Sequence, residues 1–246
     1  MKVSVITVCR NSAATIGDTL RSLAAQTHAE LEHLVIDGAS TDGTQDLVRS
    51  LGTRYTVLVS EPDRGIYDAM NKGLRLATGD CVGFLNADDM LASPEALARI
   101  AQAAAGSHIV YGDLEYLGVT TGRVVRHWRS GHYRRDRLRY GWMPPHPTFY
   151  VKRDLPAVAQ GFDTTLSIAA DYDFMTRCLL QPGIAISYVP EVLVRMRLGG
   201  ASNASARGML RKSREDLLVM RRHGLGGWFT LASKNLRKLP QFVQRS

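Results

Sequence analysis

Hydrophobic and polar positions follow two different periods through the first 112 residues. The β-branched runs at residues 2–8 and 31–37 predict buried strands, whereas Ile16, Leu20 and Leu23 recur at helical spacing. Further strands are predicted at residues 55–60, 80–86 and 108–111, and further helices at residues 42–51, 66–77 and from 93 onward. Strands that alternate with helices in this way predict a mostly parallel α/β sheet with right-handed connections.

The periodicity changes after residue 112. Residues 114–128 predict antiparallel strands that turn at Gly118 and Gly122. Beyond them the pattern predicts a short helix at 134–140, a strand at 148–151, a helix at 171–180, a strand at 184–189 and helices at 205–223 and 228–239. We therefore expect a domain over residues 1–204, with halves at 1–112 and 113–204, followed by a helical tail over 205–246.

The composition is that of an ordinary globular chain, because 45% of its 246 residues are hydrophobic and 22% are charged. Cys9, Cys81 and Cys178 lie far apart and form no CxxC pair. We therefore expect a reducing compartment, with neither a disulfide framework nor a cysteine-rich zinc site. The first residues are too polar for a signal peptide, and no apolar run approaches the ~18 residues of a membrane span. These features predict a cytoplasmic protein.

The net charge of +8 is concentrated in two segments. Residues 207–246 contain ten basic and two acidic residues, which account for the whole net charge, and residues 123–139 contain seven arginines and one acid. Such segments predict an anionic partner, namely a membrane surface, a diphosphate or a nucleic acid. Two solvated basic surfaces would have the same composition.

Motifs exclude several kinds of site and favour another. The sequence has no GxGxxG after a strand, and it has no GxxxxGK[ST], GxSxG or HExxH. It does have polar side chains where the predicted strands end, at Asn11, Asp37, Asn86, Asp88 and Asp89. Ligands of open α/β sheets bind beyond the carboxyl ends of the strands, so we expect these residues to share one crevice. Adjacent acids repel each other unless a cation lies between them, which predicts metal or nucleotide binding.

Several stretches occur in an order and spacing typical of one family. They read SVITVCRN, VIDGASTDGT and SEPDRGIYDAMNKGLRLATGDCVGFLNADD, and a later stretch reads AADYDFMTRC. Over residues 2–202, and most strongly over 2–90, the chain resembles the family 2 glycosyltransferases, especially members that build bacterial exopolysaccharides and lipid-linked glycans. The resemblance implies a GT-A α/β fold, here with a C-terminal basic helical extension. It also implies an inverting transferase that moves a sugar from a nucleotide-diphosphate donor to a hydroxyl of a lipid-linked or polysaccharide acceptor.

The same resemblance implies roles for individual residues. Asp88, with Asp89 beside it, would hold the Mg²⁺ or Mn²⁺ that bridges the donor diphosphate, and Asp171 would be the catalytic base. The positions implied to bind the nucleotide-sugar are Thr7, Asn11, Asp37, Asp63, Arg64, Asn71, Asn86 and Asp88. One residue departs from the family pattern, because Asn86 stands where the first acid of the DxD motif is expected. The loss of that negative charge predicts weaker metal binding.

The implied reaction suits these residue types. Departure of the diphosphate builds negative charge, which a divalent cation held by carboxylates stabilises. The sugar carbon passes through an oxocarbenium-like state, and a carboxylate on the opposite face takes the proton of the acceptor hydroxyl. Without the resemblance, Asp171 at a helix start is also explained by the helix dipole alone.

Three further residues are candidates for contact with the acceptor or with a phosphate. His146 has three prolines as near neighbours, so its backbone is stiff. It either contacts the acceptor or the diphosphate, or is a structural loop histidine. Arg195 and Arg197 precede a Gly-Gly-Ala-Ser loop at 199–202. They either clamp a phosphate or form salt bridges within the fold.

The tail combines basic and aromatic residues with helical periodicity. The residues predicted on its apolar face between 207 and 223 are Met209, Leu210, Leu217 and Met220. Basic amphipathic helices often lie in the membrane interface, so an anionic surface at the inner face of the plasma membrane is one predicted partner. Packing on the domain and a dimer contact are the alternatives.

Other classes of protein remain as competing interpretations. A sugar nucleotidyltransferase would need a phosphate loop rich in glycine and arginine after the first strand, where this chain reads CRNSAAT. A nucleic-acid-binding protein would interleave basic residues with stacking aromatics across the fold. Because the basic surplus is confined to two segments, we expect no nucleic-acid partner. An inactive relative of the transferases is the last alternative, and Asn86 alone suggests it.

Overall fold

The computed structural model describes residues 1–118, 121–198 and 206–236, which form one mixed sheet with helices on both faces. The strands are β1 (Val3–Cys9), β2 (Leu31–Asp37), β3 (Thr56–Ser60), β4 (Cys81–Phe84), β5 (Met90–Leu91), β6 (Ile109–Leu117), β7 (Val124–Trp128), β8 (Tyr150–Lys152) and β9 (Ile186–Arg197). The helices are α1 (Ile16–Ala24), α2 (Thr44–Leu51), α3 (Ile66–Leu76), α4 (Ala96–Ala104), α5 (Pro156–Gln160), α6 (Ala170–Leu180), α7 (Ala206–Arg222) and α8 (Trp228–Leu236). Short 3₁₀ helices lie at Arg135–Tyr140 and His146–Thr148.

Strand β1 forms the centre of the parallel half and is buried along its whole length. Ile6 and Val8 pack in one core with residues of α3, whereas Cys9 packs on the other face with Ile16 and Leu20 of α1. A strand covered on both faces reads as a continuous apolar run, which is why its position is predicted well from sequence.

The strand order is β3-β2-β1-β4-β8-β6-β9-β5, and β7 pairs with β6. Strands β1 to β4 are parallel, as predicted, so their carboxyl ends open at one edge of the sheet. Strand β8 joins β4 to β6 in antiparallel fashion, while β6 and β9 are parallel to each other. The second half therefore makes the sheet mixed, and the predicted antiparallel pair of β6 and β7 is confirmed.

Strand β9 runs to Arg197, although the sequence predicts a strand that ends at 189. Proline at position 190 reads as a strand end, because it lacks a backbone donor. The structure accommodates it by a register shift, since Gly112 pairs with Val189 and Asp113 pairs with Val192. Such a bulge leaves the intervening residues out of the ladder, so the strand continues past the proline. Strand β5 and helix α5 are too short for periodicity to predict.

The described part of the tail packs on the domain. Its buried apolar residues share one core with α6, and they are Leu217, Val219, Met220, Leu225 and Leu231. The predicted apolar face is therefore only half right, because Met209 and Leu210 are exposed. No helix among the described residues is both long and apolar enough to cross a membrane. Residues 199–202 and 237–246 lie outside the described residues.

Candidate functional site

Asp37 ends β2 and joins the loops at the carboxyl ends of three strands. Its Oδ2 accepts hydrogen bonds from the backbone N–H of Ser40 at 3.0 Å and from the hydroxyl of Ser60 at 2.7 Å. Its Oδ1 accepts from the hydroxyl of Ser40 and from the thiol of Cys9. Burial acts to raise the pKa of Asp37, but these donors outweigh it and the pKa is lowered. A buried, ionised Asp37 thus organises the crevice, and its contact with the base or ribose stays a prediction.

Thr7 and Asn11 differ in burial, although both belong to the first strand and the loop after it. Thr7 is completely buried, and its hydroxyl lies 3.1 Å from Nε2 of His33. The Thr7 side chain therefore has no exposed surface in the crevice, and the structure does not support its contact with a nucleotide. Asn11 is exposed in a left-handed conformation with φ of 50°, and its Oδ1 accepts from the backbone N–H of Thr41 at 3.0 Å. This places Asn11 at the rim of the crevice.

Asp63 and Arg64 lie between β3 and α3, at the same edge of the sheet. Asp63 pairs with Lys72, which also reaches the carboxylate of Glu61 at 2.9 Å. A Cβ added to Gly38 would lie 3.0 Å from Oδ2 of Asp63, so glycine at 38 is what allows this carboxylate to approach the end of β2. Arg64 is exposed. Both residues thus lie at the edge of the sheet where the crevice is expected, and their contact with the nucleotide stays a prediction.

Asn71 has a structural role in joining two segments of the chain. Its Nδ2 donates to the carbonyl of Phe162 at 2.9 Å, and its Oδ1 accepts from the Phe162 backbone N–H at 2.7 Å. A Cβ on Gly161 would lie 2.4 Å from Oδ1 of Asn71. The amide therefore joins α3 to the turn after α5 through one donor and one acceptor, and the implied nucleotide contact of Asn71 stays a prediction.

The turn after β4 separates its two acids. Asp88 is half-buried, whereas Asp89 is completely buried. The amide of Asn86 donates to Oδ2 of Asp89 at 3.1 Å, and Oδ1 of Asp89 has no hydrogen-bond partner among the described residues. Burial, and then the negative charge of Asp88, raise the pKa of Asp89 to about 8. Burial thus favours the protonated form of Asp89, and Asp88 is the more accessible acid of this turn.

The residues at this turn fit one way of holding a divalent cation. In residues 1–118, 121–198 and 206–236, no three His, Cys, Asp or Glu side chains come together as a ready-made metal site. Mg²⁺ is often held by one or two carboxylates together with phosphate oxygens of the substrate. Asp88 fits that arrangement because its side chain is accessible. Asp89, the implied companion ligand, does not fit because its carboxyl group is buried against Asn86.

Asp171 lies in the first turn of α6 and is half-buried. Its Oδ1 accepts the backbone N–H of Tyr172 at 2.7 Å. Tyr67, in the first turn of α3, donates its hydroxyl to the carbonyl of Ile168 at 2.6 Å. Burial and the nearby negative charge of Asp171 raise the pKa of Tyr67. Asp171 therefore lies beside the start of α3, which is the segment that follows Asp63 and Arg64.

Glu215 of α7 holds the turn that leads to Asp171. Its carboxylate accepts three backbone hydrogen bonds, from Ser167 at 3.1 Å, Ile168 at 2.8 Å and Ala169 at 3.0 Å. Charge-assisted bonds of this kind are about twice as strong as neutral ones. The tail thus fixes the start of the helix that carries Asp171.

His146 lies between the end of β4 and Asp171. Its ring stacks on Phe84, with centroids 5.5 Å apart, and meets Phe162 edge-on at 6.2 Å. Its Nε2 is buried and has no hydrogen-bond partner among the described residues. Burial lowers the pKa of His146, although the negative charge of Asp171 acts in the opposite direction. A neutral imidazole whose Nε2 has no partner among the described residues supports a contact with a ligand, and that contact stays a prediction.

Asp173 serves the fold. It is buried, and its oxygens contact Arg177 at 2.8 Å, His223 at 2.9 Å and Arg222 at 3.3 Å. Burial acts to raise the pKa of Asp173, but hydrogen bonds from His223 and Arg177 outweigh it and lower the pKa to about 2. Asp173 therefore joins α6 to the end of α7.

Arg195 and Arg197 form ion pairs within the fold. Arg195 reaches Glu115 at 3.1 Å, and Arg197 pairs with Asp18. The structure therefore favours the second of the two interpretations of these arginines, and it leaves the phosphate clamp without support. The loop at 199–202 that follows them lies outside the described residues.

Sequence reasoning missed three residues near Asp171. Tyr67 stands inside a recognised stretch, but nothing in the sequence shows that it reaches Ile168. Nothing in the sequence shows that Glu215 reaches the domain, because amphipathic spacing does not tell which polar residues of α7 meet it. Charge counting likewise gives no sign that Lys234 turns inward, yet its Nζ lies 2.9 Å from Asp216 and 3.4 Å from the ring centroid of Tyr172.

Comparison with protein families gives one match that covers most of the chain. Residues 4–162 match the family model described as glycosyl transferase family 2. A PGL/p-HBAD biosynthesis glycosyltransferase of Mycobacterium bovis (strain BCG / Pasteur 1173P2) is 35% identical over 209 residues, which are 81% of this chain and 78% of the relative. An uncharacterized glycosyltransferase of Mycobacterium tuberculosis (strain CDC 1551 / Oshkosh) is 32% identical over 195 residues, which are 72% of this chain and 69% of the relative.

Solved structures with the same architecture are glycosyltransferases of the GT-A fold. S. aureus TarS 1-349 in complex with UDP-GlcNAc aligns with a TM-score of 0.65 at 22% identity, over 99% of this chain and 72% of that chain. The mannosyltransferase PcManGT from Pyrobaculum calidifontis in complex with GDP-Man and Mn²⁺ aligns with a TM-score of 0.66 at 21% identity, over 100% of this chain and 76% of that chain. The expected GT-A fold is therefore confirmed.

Proposed function

Because the chain belongs to glycosyl transferase family 2, we propose that it is an inverting glycosyltransferase that moves a sugar from a nucleoside-diphosphate donor to an acceptor hydroxyl. The crevice at the carboxyl ends of β1 to β4 takes the donor, and Asp171 is the base. The alternatives, a sugar nucleotidyltransferase and a nucleic-acid-binding protein, lack comparable support, since the family match and both relatives are glycosyltransferases.

One observation carries the proposal, namely the junction between the donor half and the first turn of α6. Tyr67 of α3 donates to the carbonyl of Ile168, three residues before Asp171, and His146, whose pKa feels the charge of Asp171, stacks on Phe84 at the end of β4. We infer that the first turn of α6, which carries Asp171, faces the end of the strand that leads to the Asn86–Asp89 turn. A base in this position can take a proton from a hydroxyl that attacks a sugar held at the crevice.

The proposed step is a single displacement. The acceptor oxygen forms a bond to the anomeric carbon while the bond to the diphosphate oxygen breaks, and the hydroxyl proton passes to a carboxylate oxygen of Asp171. Attack opposite the leaving group inverts the anomeric centre. Asp88 would hold a divalent cation, Mg²⁺ or Mn²⁺, that supplies positive charge to the leaving diphosphate. Asn11, Asp63 and Arg64 line the rim where the nucleotide would bind.

A lipid-linked or polysaccharide intermediate of cell-surface glycan synthesis is the acceptor that we propose. The tail offers a surface for reaching such an acceptor, because Trp228 is 68% exposed, Phe229 72% and Leu236 62%. Tyr140, beside Arg139, contacts Phe229 with ring centroids 6.3 Å apart, so aromatic and basic groups adjoin. Aromatic residues and cations in this combination suit the interface of an anionic membrane. We therefore place the protein peripherally on the inner face of the plasma membrane.

Nucleotide binding is the first experiment. The purified chain is titrated with UDP, GDP, dTDP and CMP, with and without Mn²⁺, beside Asp88→Ala and the matched control Asp46→Asn, an exposed acid on α2. We expect metal-dependent binding of one nucleotide that Asp88→Ala loses and Asp46→Asn retains. If none of the four nucleotides binds, the proposed transfer is wrong.

Membrane binding is tested separately by sedimentation with vesicles that contain an anionic phospholipid. The double substitution Trp228→Ser and Phe229→Ser should abolish sedimentation, whereas Leu218→Ser on α7, which removes a half-exposed leucine, should not. Equal sedimentation of all three proteins would contradict the membrane surface on α8 and leave the donor site untouched.

A further inference from the structure

A cavity lies in the part of the chain after residue 112, and none of the residues assigned to the donor crevice lines it. It has a volume of about 500 Å³ and lies between the end of β7, the 3₁₀ helix Arg135–Tyr140, β9 and α8. Its lining includes three basic residues, Arg129, Arg137 and Lys234, and no acidic residue. A volume of this size is that of an ordinary small-molecule site.

The two arginines of this cavity have no ion pair or hydrogen bond from their guanidinium groups within residues 1–118, 121–198 and 206–236. In the same basic segment Arg134 pairs with Asp136 and Arg126 lies over the ring of Tyr116 at 4.5 Å, whereas the exposed Arg123, Arg135 and Arg139 have no ion pair among the described residues either. What sets Arg129 and Arg137 apart is therefore the concave site that they share. Arg129 is exposed and Arg137 is half-buried, and an anion between the two would remove the repulsion of their like charges.

A smaller cavity in the same half shows what a purely structural charge cluster looks like. It has a volume of about 230 Å³ and is lined by Asp163, Asp173, Arg177 and Arg222. Every one of these charges pairs with another, for example Arg222 with Asp163 at 2.8 Å. That cavity therefore needs no ligand for charge balance, in contrast to the cavity at Arg129 and Arg137.

Lys234 connects the larger cavity to the base. Its side chain lies over Tyr172, the residue after Asp171, and its Nζ bonds Asp216 at 2.9 Å. Burial lowers the pKa of Lys234 to about 8, while the negative charges of Asp216 and Asp171 act against this. Because Tyr172 directly follows Asp171 in α6, Lys234 brings the cavity to the same turn of the helix as the base.

Aromatic side chains form the remaining walls. Trp128, Trp142 and Tyr188 line the cavity, and the last two are fixed by hydrogen bonds, Trp142 to the carbonyl of Ser130 at 2.9 Å and Tyr188 to Asp113 at 2.8 Å. Fixed aromatic faces suit a sugar ring or an apolar chain next to an anionic group. A guanidinium group binds two oxygens of a phosphate in a bidentate manner. One arginine satisfies a carboxylate in the same way, so two arginines at one cavity favour a phosphate.

We propose that this cavity binds a phosphate or diphosphate group carried by the acceptor, with Arg129 and Arg137 as its ligands. This inference rests on the proposed function, because it names the acceptor class for the same base. Binding of the phosphate group in the cavity would hold the acceptor in place while the acceptor hydroxyl reaches Asp171.

The test uses inorganic pyrophosphate as the probe and the full chain saturated with the nucleoside diphosphate that it binds, so that the donor crevice is already occupied. Arg129→Gln and Arg137→Gln should each weaken pyrophosphate binding by roughly 10-fold, which is about 1.4 kcal/mol. The matched control is Arg135→Gln, an exposed arginine of the same 3₁₀ helix that does not line the cavity, and it should bind as the unsubstituted protein does. Thermal unfolding of all four proteins verifies that they are folded.

Equal pyrophosphate binding by all four proteins, or no binding by any of them, would overturn the cavity assignment. Nucleotide binding by the same proteins reports separately on the donor site, so failure of the two proposals is distinguishable. If no nucleotide binds at all, pyrophosphate is titrated into the nucleotide-free protein and its Asp88→Ala variant instead.

A competition experiment separates the sources of the phosphate. Vesicles with phosphatidic acid should displace pyrophosphate from the control Arg135→Gln if the source is a lipid headgroup. With Arg129→Gln, these vesicles should then displace no more pyrophosphate than neutral vesicles do. Failure of both vesicles to displace the probe would exclude a membrane phospholipid headgroup as the source. The pyrophosphate titration alone tests the cavity, and the competition distinguishes the sources.

Discussion

Two pairs of aspartates, Asp88 with Asp89 and Asp171 with Asp173, begin the two segments that would meet the substrates. In each pair one acid is half-buried and the other is almost fully buried, with exposed fractions of 0% for Asp89 and 1% for Asp173. The pKa values of the buried acids are shifted in opposite directions. Burial and Asp88 raise the pKa of Asp89 to about 8, whereas His223 and Arg177 hold the pKa of Asp173 near 2 against its burial.

The difference shows how a fold separates a ligand-binding acid from a structural one. Burying an ionised carboxylate is costly unless cations and hydrogen-bond donors surround it. Asp173 has three such partners from α6, α7 and the residue after α7, so it stays charged and joins the tail to the domain. Asp89 has one amide donor, and burial favours its protonated form. In both pairs the half-buried acid, Asp88 or Asp171, is the one left for a substrate.

The largest effect is expected when the accessible acid of the second pair is neutralised. Asp171→Asn removes the proposed base, and loss of a general base typically lowers the rate by 10²–10⁴-fold. We therefore expect kcat for sugar transfer to fall by roughly 10³-fold, or about 4 kcal/mol, while nucleotide affinity stays within about 2-fold. Steady-state kinetics and nucleotide titration measure the two quantities. A variant that keeps its rate would remove Asp171 from the mechanism.

The next effect is on stability and concerns the buried acid of the same pair. Asp173→Asn leaves Arg177 and His223 without their acid, whereas Arg222 keeps Asp163, and breaking a buried ion pair on one side costs about 3–5 kcal/mol. We expect a loss of about 3 kcal/mol in the free energy of unfolding, measured by urea denaturation at pH 6. The exposed control, Asp46→Asn on α2, should change it by less than about 0.5 kcal/mol.

The same variant has a definite pH dependence. The pKa of Asp173 is lowered to about 2 in the folded chain, below the ordinary value of about 3.9 for an unfolded aspartate. The stabilisation is therefore complete above about pH 4 and is lost as pH falls through about 2. The difference between the unsubstituted protein and Asp173→Asn should shrink from pH 6 to pH 3. A constant difference would show that Asp173 acts by packing and not by charge.

The parallel half was predictable because its signals are local. Strands β1 and β2 are continuous apolar runs, and α1 and α3 repeat buried residues at helical spacing, so each is placed to within two residues. The polar residues at the strand ends share an edge because parallel strands require it. What a side chain touches there is not local, and for that reason Thr7 and Asn71 were assigned to the nucleotide although they bond His33 and Phe162.

The second half was harder to predict because long-range contacts decide it. Strand β9 continues past Pro190 only because a bulge at β6 accepts it. The polar residues of α7 look alike in sequence, yet Glu215 reaches the backbone at 167–169 while Arg211 is exposed. Charge counting likewise could not tell that Lys234 turns inward while its neighbours Trp228 and Phe229 stay outside.

A smaller effect is expected from Glu215→Ala, which removes the acceptor of three backbone hydrogen bonds before α6. The base itself stays in place, so Glu215 is a positioning residue. We expect kcat to fall by roughly 10-fold with KM for the donor nearly unchanged, since a displaced base costs far less than a missing one. Glu215→Gln keeps one acceptor oxygen and should recover part of kcat. A change in stability with unaltered kcat would show that Glu215 supports only the fold.

The smallest effect sharpens the contrast between the two buried acids. Because burial favours the protonated form of Asp89, Asp89→Asn replaces one uncharged group by another of nearly equal shape. We expect the free energy of unfolding to change by less than about 1 kcal/mol, against about 3 kcal/mol for Asp173→Asn. Metal-dependent nucleotide binding should also survive in Asp89→Asn while Asp88→Asn loses it, because only Asp88 is accessible to a cation. Loss of metal-dependent binding in both variants would instead make Asp89 a ligand whose carboxyl group turns outward when the donor binds, and the two buried acids would then no longer share a structural role.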